Sequence, residues 1–303
     1  MSKRIVIAGG TGFIGVPLVE KLLSEGFEVV VLSRTTQTST HPRLQYVRWD
    51  STEIAQWTSY LDGAYAVVNL AGESINAKKW TPVFKDALLK SRIFSTRTLV
   101  AAMEYVTTKP MLFVSASAIG YYGYMPPSDA TESTPSGKDF LAELCVQWET
   151  ESHRAKQLGV RVINPRIAVV LGRDGGILKS LSPVFKAFLG GPVGSGKQAF
   201  PWVDIQDVVG AILFLITKPG MEGPFNIVSP DRRSMSSFCQ MVGKTLKRPS
   251  WLKVPQFMLG LLKGKEFSDT VCHGRPVSPA KLIVAGYHFK VPSLSTSLST
   301  HLE

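Results

Sequence analysis

Seven residues near the start of the chain, Gly9-Gly10-Thr11-Gly12-Phe13-Ile14-Gly15, have the types and spacing needed to hold a pyrophosphate. Glycines permit a tight turn and close approach of backbone N–H groups to phosphate oxygens, and a helix opening at the turn directs its positive end at the anion. A Gly-rich turn alone carries little weight. This one follows the apolar run Arg4-Ile5-Val6-Ile7-Ala8 directly, opens a helical pattern and precedes a second strand-like run, which is the context of a dinucleotide site. The end of that second run selects the cofactor. An acidic residue there holds a ribose 2′-hydroxyl, whereas a basic one accommodates a 2′-phosphate. Here Ser33-Arg34 stands in that place and no Asp or Glu occurs between Glu28 and Asp50, which argues for NADP(H) over NAD; the alternative is a surface arginine after a strand. Further along, Asn69-Leu70-Ala71-Gly72-Glu73 ends a strand in small residues, where an adenosine and ribose would pass. Glu73 faces either the pocket or solvent, and Arg92 either the pocket or the surface. The five histidines show no metal-ligand spacing, so no bound metal is expected.

The elements that must position these residues are legible as an alternation of Val/Ile/Leu runs with helical periodicity, the pattern of a parallel sheet covered on both faces. Strands are expected at about 3–8, 27–32, 44–48, 65–70, 110–115 and 160–165, and helices at about 12–25, 82–104, 138–157 and 205–217. Thr81-Pro82 is a good helix start, because Thr caps and Pro at the first position gives up no needed hydrogen bond. The text changes character from Pro183: a Gly-rich stretch over 189–196 leads to Trp202, and helical pieces follow near 234–246, 255–263 and 279–285. The expected fold is α/β, a Rossmann-like doubly wound parallel sheet with a small, mostly C-terminal substrate lobe. Residues 1–175, joined by 198–228, form the dinucleotide-binding domain, and 176–197 with 229–303 form the lobe. Ligands of such sheets bind beyond the carboxyl ends of the strands. Trp202 then walls a substrate pocket, and Asp204 or Asp207 caps the helix that follows.

With 303 residues, 44% apolar and 19% charged, the chain can bury a sizeable core, and disordered or collagen-like classes are excluded. No apolar stretch reaches the ~20 residues that span a bilayer, so no membrane insertion is expected. Three scattered cysteines favour a reducing, cytoplasmic setting. The net charge is +11, with eleven Lys/Arg against four Asp/Glu from residue 230 onward. A solvated face is the first reading of that excess, a phosphate-bearing ligand the second, and nucleic acid or an acidic membrane the last. Nothing here specifies the oligomeric state.

Taken together, the residues resemble the extended and atypical short-chain dehydrogenase/reductases, and within them the sugar-nucleotide epimerase-like family with a C-terminal domain of unknown function. The resemblance rests on the glycine turn, Asn69-Leu-Ala-Gly-Glu73, Trp80, Ser91-Arg92, Ser115 through Gly123, Trp148-Glu149, Val170-Leu-Gly172, Phe200-Pro-Trp202 and Pro279 through Phe289. It implies an NADP(H)-binding Rossmann domain, with cofactor contacts on Gly9, Thr11, Gly12, Phe13, Ile14, Gly15, Ser33, Arg34, Leu70, Ala71, Gly72 and Arg92, and with Pro165 bordering the nicotinamide. Relatives commonly carry His where this chain has Asp204.

Enzymes of this superfamily usually move the hydroxyl proton with a Tyr, assisted by a Lys four residues on and a Ser that holds the substrate oxygen. The literal match, Tyr105 and Lys109, precedes the strand it should follow and is set aside. In register with Trp148-Glu149, the usual Tyr and Lys positions hold Leu141 and Cys145. Candidate replacements are Tyr121 and Tyr122 with Ser117; alternatively one Tyr packs in the core while the other lines the pocket. The sequence thus points to an NADP(H)-dependent oxidoreductase or epimerase acting on a small polar substrate, nucleotide sugars included. The other reading is a non-catalytic NADP(H)-binding regulator acting through its C-terminal lobe.

Overall fold

Strict alternation makes each strand two-faced. In the first strand Ile5 and Ile7 point to one side and Val6 and Ala8 to the other, and Val29/Val31 against Val30/Leu32 repeat the pattern next door. Both faces are therefore apolar, as a sheet buried on both sides requires. The computed structural model describes residues 3–35, 37–51, 53–54, 56–124 and 129–303. In chain order, β1 (Arg4–Ala8), α1 (Gly15–Ser24), β2 (Glu28–Ser33), β3 (Leu44–Arg48) and β4 (Ala66–Asn69) are followed by α2 (Pro82–Tyr105), β5 (Leu112–Ser115) and the short β6 (Ser117–Ala118). Next come α3 (Phe140–His153), β7 (Arg161–Ile167), β8 (Val169–Leu171), α4 (Gly176–Lys186), β9 (Trp202–Asp204), α5 (Ile205–Thr217) and β10 (Gly223–Ile227). The chain closes with α6 (Met235–Leu246), α7 (Gln256–Lys263), α8 (Lys265–Cys272), α9 (Ala280–Val284) and α10 (Leu294–Leu302).

The main sheet runs β10-β7-β5-β4-β1-β2-β3 with every neighbour parallel, and β6 adds to β7 beyond β5. This is the Rossmann-like α/β fold. α1 and α5 cover one face, and the second half of α2 covers the other through Leu99, Val100 and Met103. Because β1 lies between β2 and β4, the chain leaves β1 and β4 in opposite directions, and the crevice at their carboxyl ends is the expected ligand position. Register sets Ala8 beside Asn69 and Asn69 beside Ser115, so the loops from 9, 70 and 116 start at one level.

A third core joins β8, β9, α4, α6 and α10 around Trp202, Phe185, Phe238 and Leu298, with Phe200 stacked on Phe238 at 3.9 Å. Trp202 is fully buried there and its indole N–H donates to the Asp231 carbonyl at 2.9 Å, so it is a core residue and not a pocket wall. α2 begins as its sequence dictates: Thr81 accepts from the Phe84 N–H with Pro82 in the first turn, a cap that contributes about 1 kcal/mol. Among the described residues, no helix is long and apolar enough to cross a membrane.

Candidate functional site

The glycine turn is shaped by what a side chain would strike. Gly9 has φ +81°, and a Cβ there would lie 2.7 Å from the Leu70 carbonyl carbon and 2.8 Å from the Ala71 nitrogen. A Cβ on Gly15 would fall 2.2 Å from the Gly9 oxygen, and one on Gly10 would meet the Val31 side chain at 2.8 Å. The turn is thus pressed onto both β2 and the chain leaving β4. α1 opens with Ile14 at its cap, no side chain accepting from its first N–H groups and no acid in its first turn. The Gly12 and Val16 amides are taken by the Gly9 and Gly12 carbonyls at 3.0 Å and Pro17 has none, so the amides of Phe13, Ile14 and Gly15, without a partner among the described residues, are the ones left for an anion, with Thr11 and Gly12 exposed beside them. Phe13 turns the other way, into a cradle of Gly172, Gly175 and Gly176, where added Cβ atoms would come within 2.7, 2.4 and 2.9 Å of its ring. The close-pressed turn and its open amides together fit a dinucleotide pyrophosphate.

At the end of β2, Ser33 is buried and its hydroxyl accepts from the Thr35 N–H at 3.3 Å, which leaves Arg34 exposed with no ion pair or hydrogen bond among the described residues. At the end of β4, the Asn69 side chain donates to Thr96 Oγ1 at 2.9 Å and accepts from the Ala71 N–H at 3.1 Å, fixing the Leu70-Ala71-Gly72 loop. Arg92 lies beneath that loop. Its guanidinium donates to the Leu88 and Glu73 carbonyls at 3.1 and 2.9 Å and sits 5.2 Å from the Trp148 ring. Ser91 accepts from the Glu73 N–H at 3.0 Å, so Glu73, Ser91 and Arg92 do come together. Burial holds the Arg92 pKa below its ordinary value, and no carboxylate pairs with it among the described residues. Pro165 is buried in β7, one residue beyond the level of Ser115.

The third group is a buried network. Ser117 donates to Glu149 Oε1 at 2.6 Å, and Glu149 meets Arg166 through two bonds of 2.8 Å in a fork. Arg166 also donates to the Tyr122 hydroxyl at 3.0 Å, and that hydroxyl donates to Asn226 Oδ1 at 2.6 Å. Burial alone would lower the Arg166 pKa, but the bonds and charge of Glu149 outweigh it and hold the guanidinium firmly protonated. Tyr122 is 1% exposed and burial pushes its phenol up, so it stays neutral and committed to the interior. That corrects its candidacy as a reagent. Tyr121 differs: it is half-buried, its ring lies 3.4 Å from the Arg166 guanidinium carbon, and its hydroxyl has no partner among the described residues. Ser117 is buried too, with its proton already given to Glu149.

Leu141 and Cys145, at the usual Tyr and Lys positions, pack under Gly120, and burial pushes the Cys145 thiol up to about 12, so it carries no charge. Tyr105 is exposed at the end of α2 and the Lys109 ammonium is tied to the Glu104 and Val106 carbonyls, so that pair belongs to no site. Asp204 caps α5 by accepting from the Gln206 N–H at 2.8 Å, whereas Asp207 is buried and holds Tyr287 and the backbone of Lys290 and Val291. Among the described residues no cluster of His, Cys, Asp and Glu could hold a metal ion. Sequence reasoning passed over Arg166 and Asn226. A signal existed, since an arginine inside the apolar strand Arg161-Val-Ile-Asn-Pro-Arg166-Ile must be paired if that strand is buried.

Known proteins share this fold. A human epimerase family protein, SDR39U1 isoform 2, crystallised with NADPH, superposes with a TM-score of 0.86 at 28% identity over 98% of each chain. A UDP-glucuronic acid 4-epimerase from Bacillus cereus, in complex with UDP-glucuronic acid and NAD, has the same fold at 19% identity and a TM-score of 0.81, covering 98% of this chain and 97% of that one. The chloroplastic SDR39U1 homolog of Arabidopsis thaliana is 37% identical over 97% of this chain and 85% of its own. The epimerase family protein SH2119 of Staphylococcus haemolyticus is 37% identical over 96% of each. Residues 254–300 match a domain of unknown function, DUF1731. Residues 5–228 match the NAD dependent epimerase/dehydratase family, and it is to that family that the chain belongs.

Proposed function

We propose that the protein binds NADP(H) at the crevice between β1 and β4 and acts as an oxidoreductase or epimerase on a small polar carbonyl or sugar substrate, nucleotide-linked sugars among them. One observation carries the reading: a turn whose Gly9, Gly10 and Gly15 leave no room for a Cβ, with open amides at the head of α1, stands at the same sheet edge as Arg34, which has no ion pair among the described residues. Gly9 to Gly15 would cradle the pyrophosphate, Arg34 with Ser33 would take the 2′-phosphate, and Leu70 to Gly72 would pass the adenosine ribose over Arg92. When bound, the nicotinamide supplies an acceptor and donor of hydride. Tyr121, its ring beside the Arg166 cation and its hydroxyl without a partner among the described residues, is the chain's own candidate to give or take the substrate proton, and Ser117, its hydrogen engaged by Glu149, can accept from a substrate hydroxyl.

A panel of carbonyl compounds and nucleotide sugars, followed by loss of reduced-nicotinamide absorbance and by product analysis, tests this directly. Turnover of one compound, reduced in Tyr121→Phe with NADPH affinity kept, is the expected result. The regulatory reading is favoured by a separate observation: Leu141 and Cys145 fill the usual Tyr and Lys positions with uncharged groups. It requires tight NADPH binding with no turnover across the panel.

A further inference from the structure

The net charge of the molecule is concentrated in two segments. Between Asp174 and Asp204, and again between Asp231 and Glu266, there is no acidic residue, while the two stretches together hold eleven Lys and Arg, so the rest of the chain is neutral on balance. The same two stretches expose large apolar side chains. On α7, Phe257, Leu261 and Leu262 are 68–70% exposed, with Met258 beside them, and positions 257, 258, 261 and 262 occupy one side of the helix. Leu259 packs against the core on the other side. Trp251 is 71% exposed just ahead of α7, and Phe188 and Leu189 join it from the first segment, because the Leu252 N–H donates to the Gly190 carbonyl and the Val254 N–H to that of Pro192. Arg248 stacks over Phe188, 4.8 Å from its centroid.

We propose that this face is a docking surface for an anionic phospholipid bilayer, the apolar side chains entering the acyl boundary and the Lys and Arg collar meeting the headgroups. The combination is decisive. Lysines without the apolar residues would suit any polyanion, and a groove for a second copy would have to bring together two faces drawn from the segments that hold the positive excess. Nucleic acid uses stacking aromatics and cations, and has no use for Leu261, Leu262 and Met258. Phe257, Leu261 and Leu262 on one side of α7, with Trp251 just ahead of it and Lys253, Lys263 and Lys265 along it against Glu266 and Asp269 of α8, match the headgroup and acyl boundary in polarity and in net charge. The attachment is peripheral. It stands as an alternative to the reading of the basic excess as a plain solvated face and is independent of the catalytic proposal. α7 also borders the crevice, since Lys263 accepts from the Trp80 N–H through its carbonyl and donates to the Asn76 carbonyl through its ammonium.

The test is co-sedimentation of the full chain with vesicles of phosphatidylcholine alone and of phosphatidylcholine with phosphatidylglycerol at about 7:3. Binding to the anionic vesicles is expected to exceed that to the neutral ones by at least about tenfold and to weaken toward about 0.5 M salt. The double variant L261E/L262E and the triple variant K244Q/K253Q/K265Q, all at exposed positions, are each expected to lose about tenfold or more while keeping the melting temperature and NADPH affinity. Equal binding to both vesicle types, or anionic binding unchanged in L261E/L262E, overturns the proposal. So does a concentration-dependent dimer that L261E/L262E disperses, or binding to duplex DNA as tight as to anionic vesicles and indifferent to that variant.

Discussion

At the residue scale, the chemistry turns on which hydroxyls remain uncommitted. Ser117 and Tyr122 are tied into the Glu149–Arg166 pair, and of the three only the half-buried Tyr121 has a hydroxyl without a partner among the described residues. A buried ion pair of this kind gives little net stability, but losing one partner strands a charge, at a cost of about 3–5 kcal/mol. Arg166→Met is therefore expected to lower the unfolding free energy from urea titration by an amount within that range, seen as a lower midpoint at an unchanged slope. A fall below about 1 kcal/mol would mean that solvent reaches Glu149. Tyr121→Phe touches no such pair and is expected to leave the unfolding free energy within about 0.5 kcal/mol of the wild type.

At the element scale, the glycine turn is the most constrained piece of the site. Gly15→Ala places a methyl against the Gly9 oxygen, so NADPH affinity should drop by about tenfold or more. Gly159→Ala, at a left-handed turn with nothing within 4 Å, should cost about 1 kcal/mol of stability and leave affinity alone, and isothermal titration with thermal melts separates the two outcomes. Much of this level was readable. The helices expected at 82–104 and 205–217 and the strand at 44–48 fall within a residue of α2, α5 and β3, because their caps and apolar periods are strong. The helix expected at 138–157 ends its α part at His153 and continues as a tighter turn to Leu158. Other elements were not legible. α4 carries Pro183 inside it, where the text was read as changing, and β10 begins Gly-Pro. α10, Leu-Ser-Thr-Ser-Leu-Ser-Thr-His-Leu, is a poor helix former held by tertiary bonds from Ser297 and His301 to Asp204. β6, β8 and β9 are two or three residues long, below any periodicity. Within the site, the turn and Arg34 showed in the sequence because their signals are local, while the Ser117–Glu149–Arg166–Tyr122–Asn226 network joins four separate segments.

At the scale of the whole molecule, the C-terminal helix is fastened to the sheet-covering helix α5 through Asp204, which takes the Gln206 N–H, the Ser297 hydroxyl at 2.6 Å and His301 Nε2 at 2.9 Å. Burial pushes the Asp204 carboxyl up, but the bonds from His301, Ser297 and Gln206 outweigh it and hold its pKa below the ordinary value of 3.8. A carboxylate lowered in the folded state contributes stability above its unfolded pKa and loses it as pH falls through the folded one. The melting temperature of the wild type should therefore exceed that of Asp204→Asn at neutral pH and converge with it below about pH 4, and a constant gap down to about pH 2 would show that the carboxylate charge plays no part. The same scale decides the central claim, because turn, strand end and loop must act on one ligand. The measurement that tests it most directly is the affinity of NADPH and NADH for the wild type and for Arg34→Ala. NADPH should bind at least about tenfold tighter than NADH, and the exchange should remove most of that difference while leaving NADH unchanged. Equal affinities in the wild type, or equal losses of both cofactors in the variant, would contradict a 2′-phosphate read by Arg34.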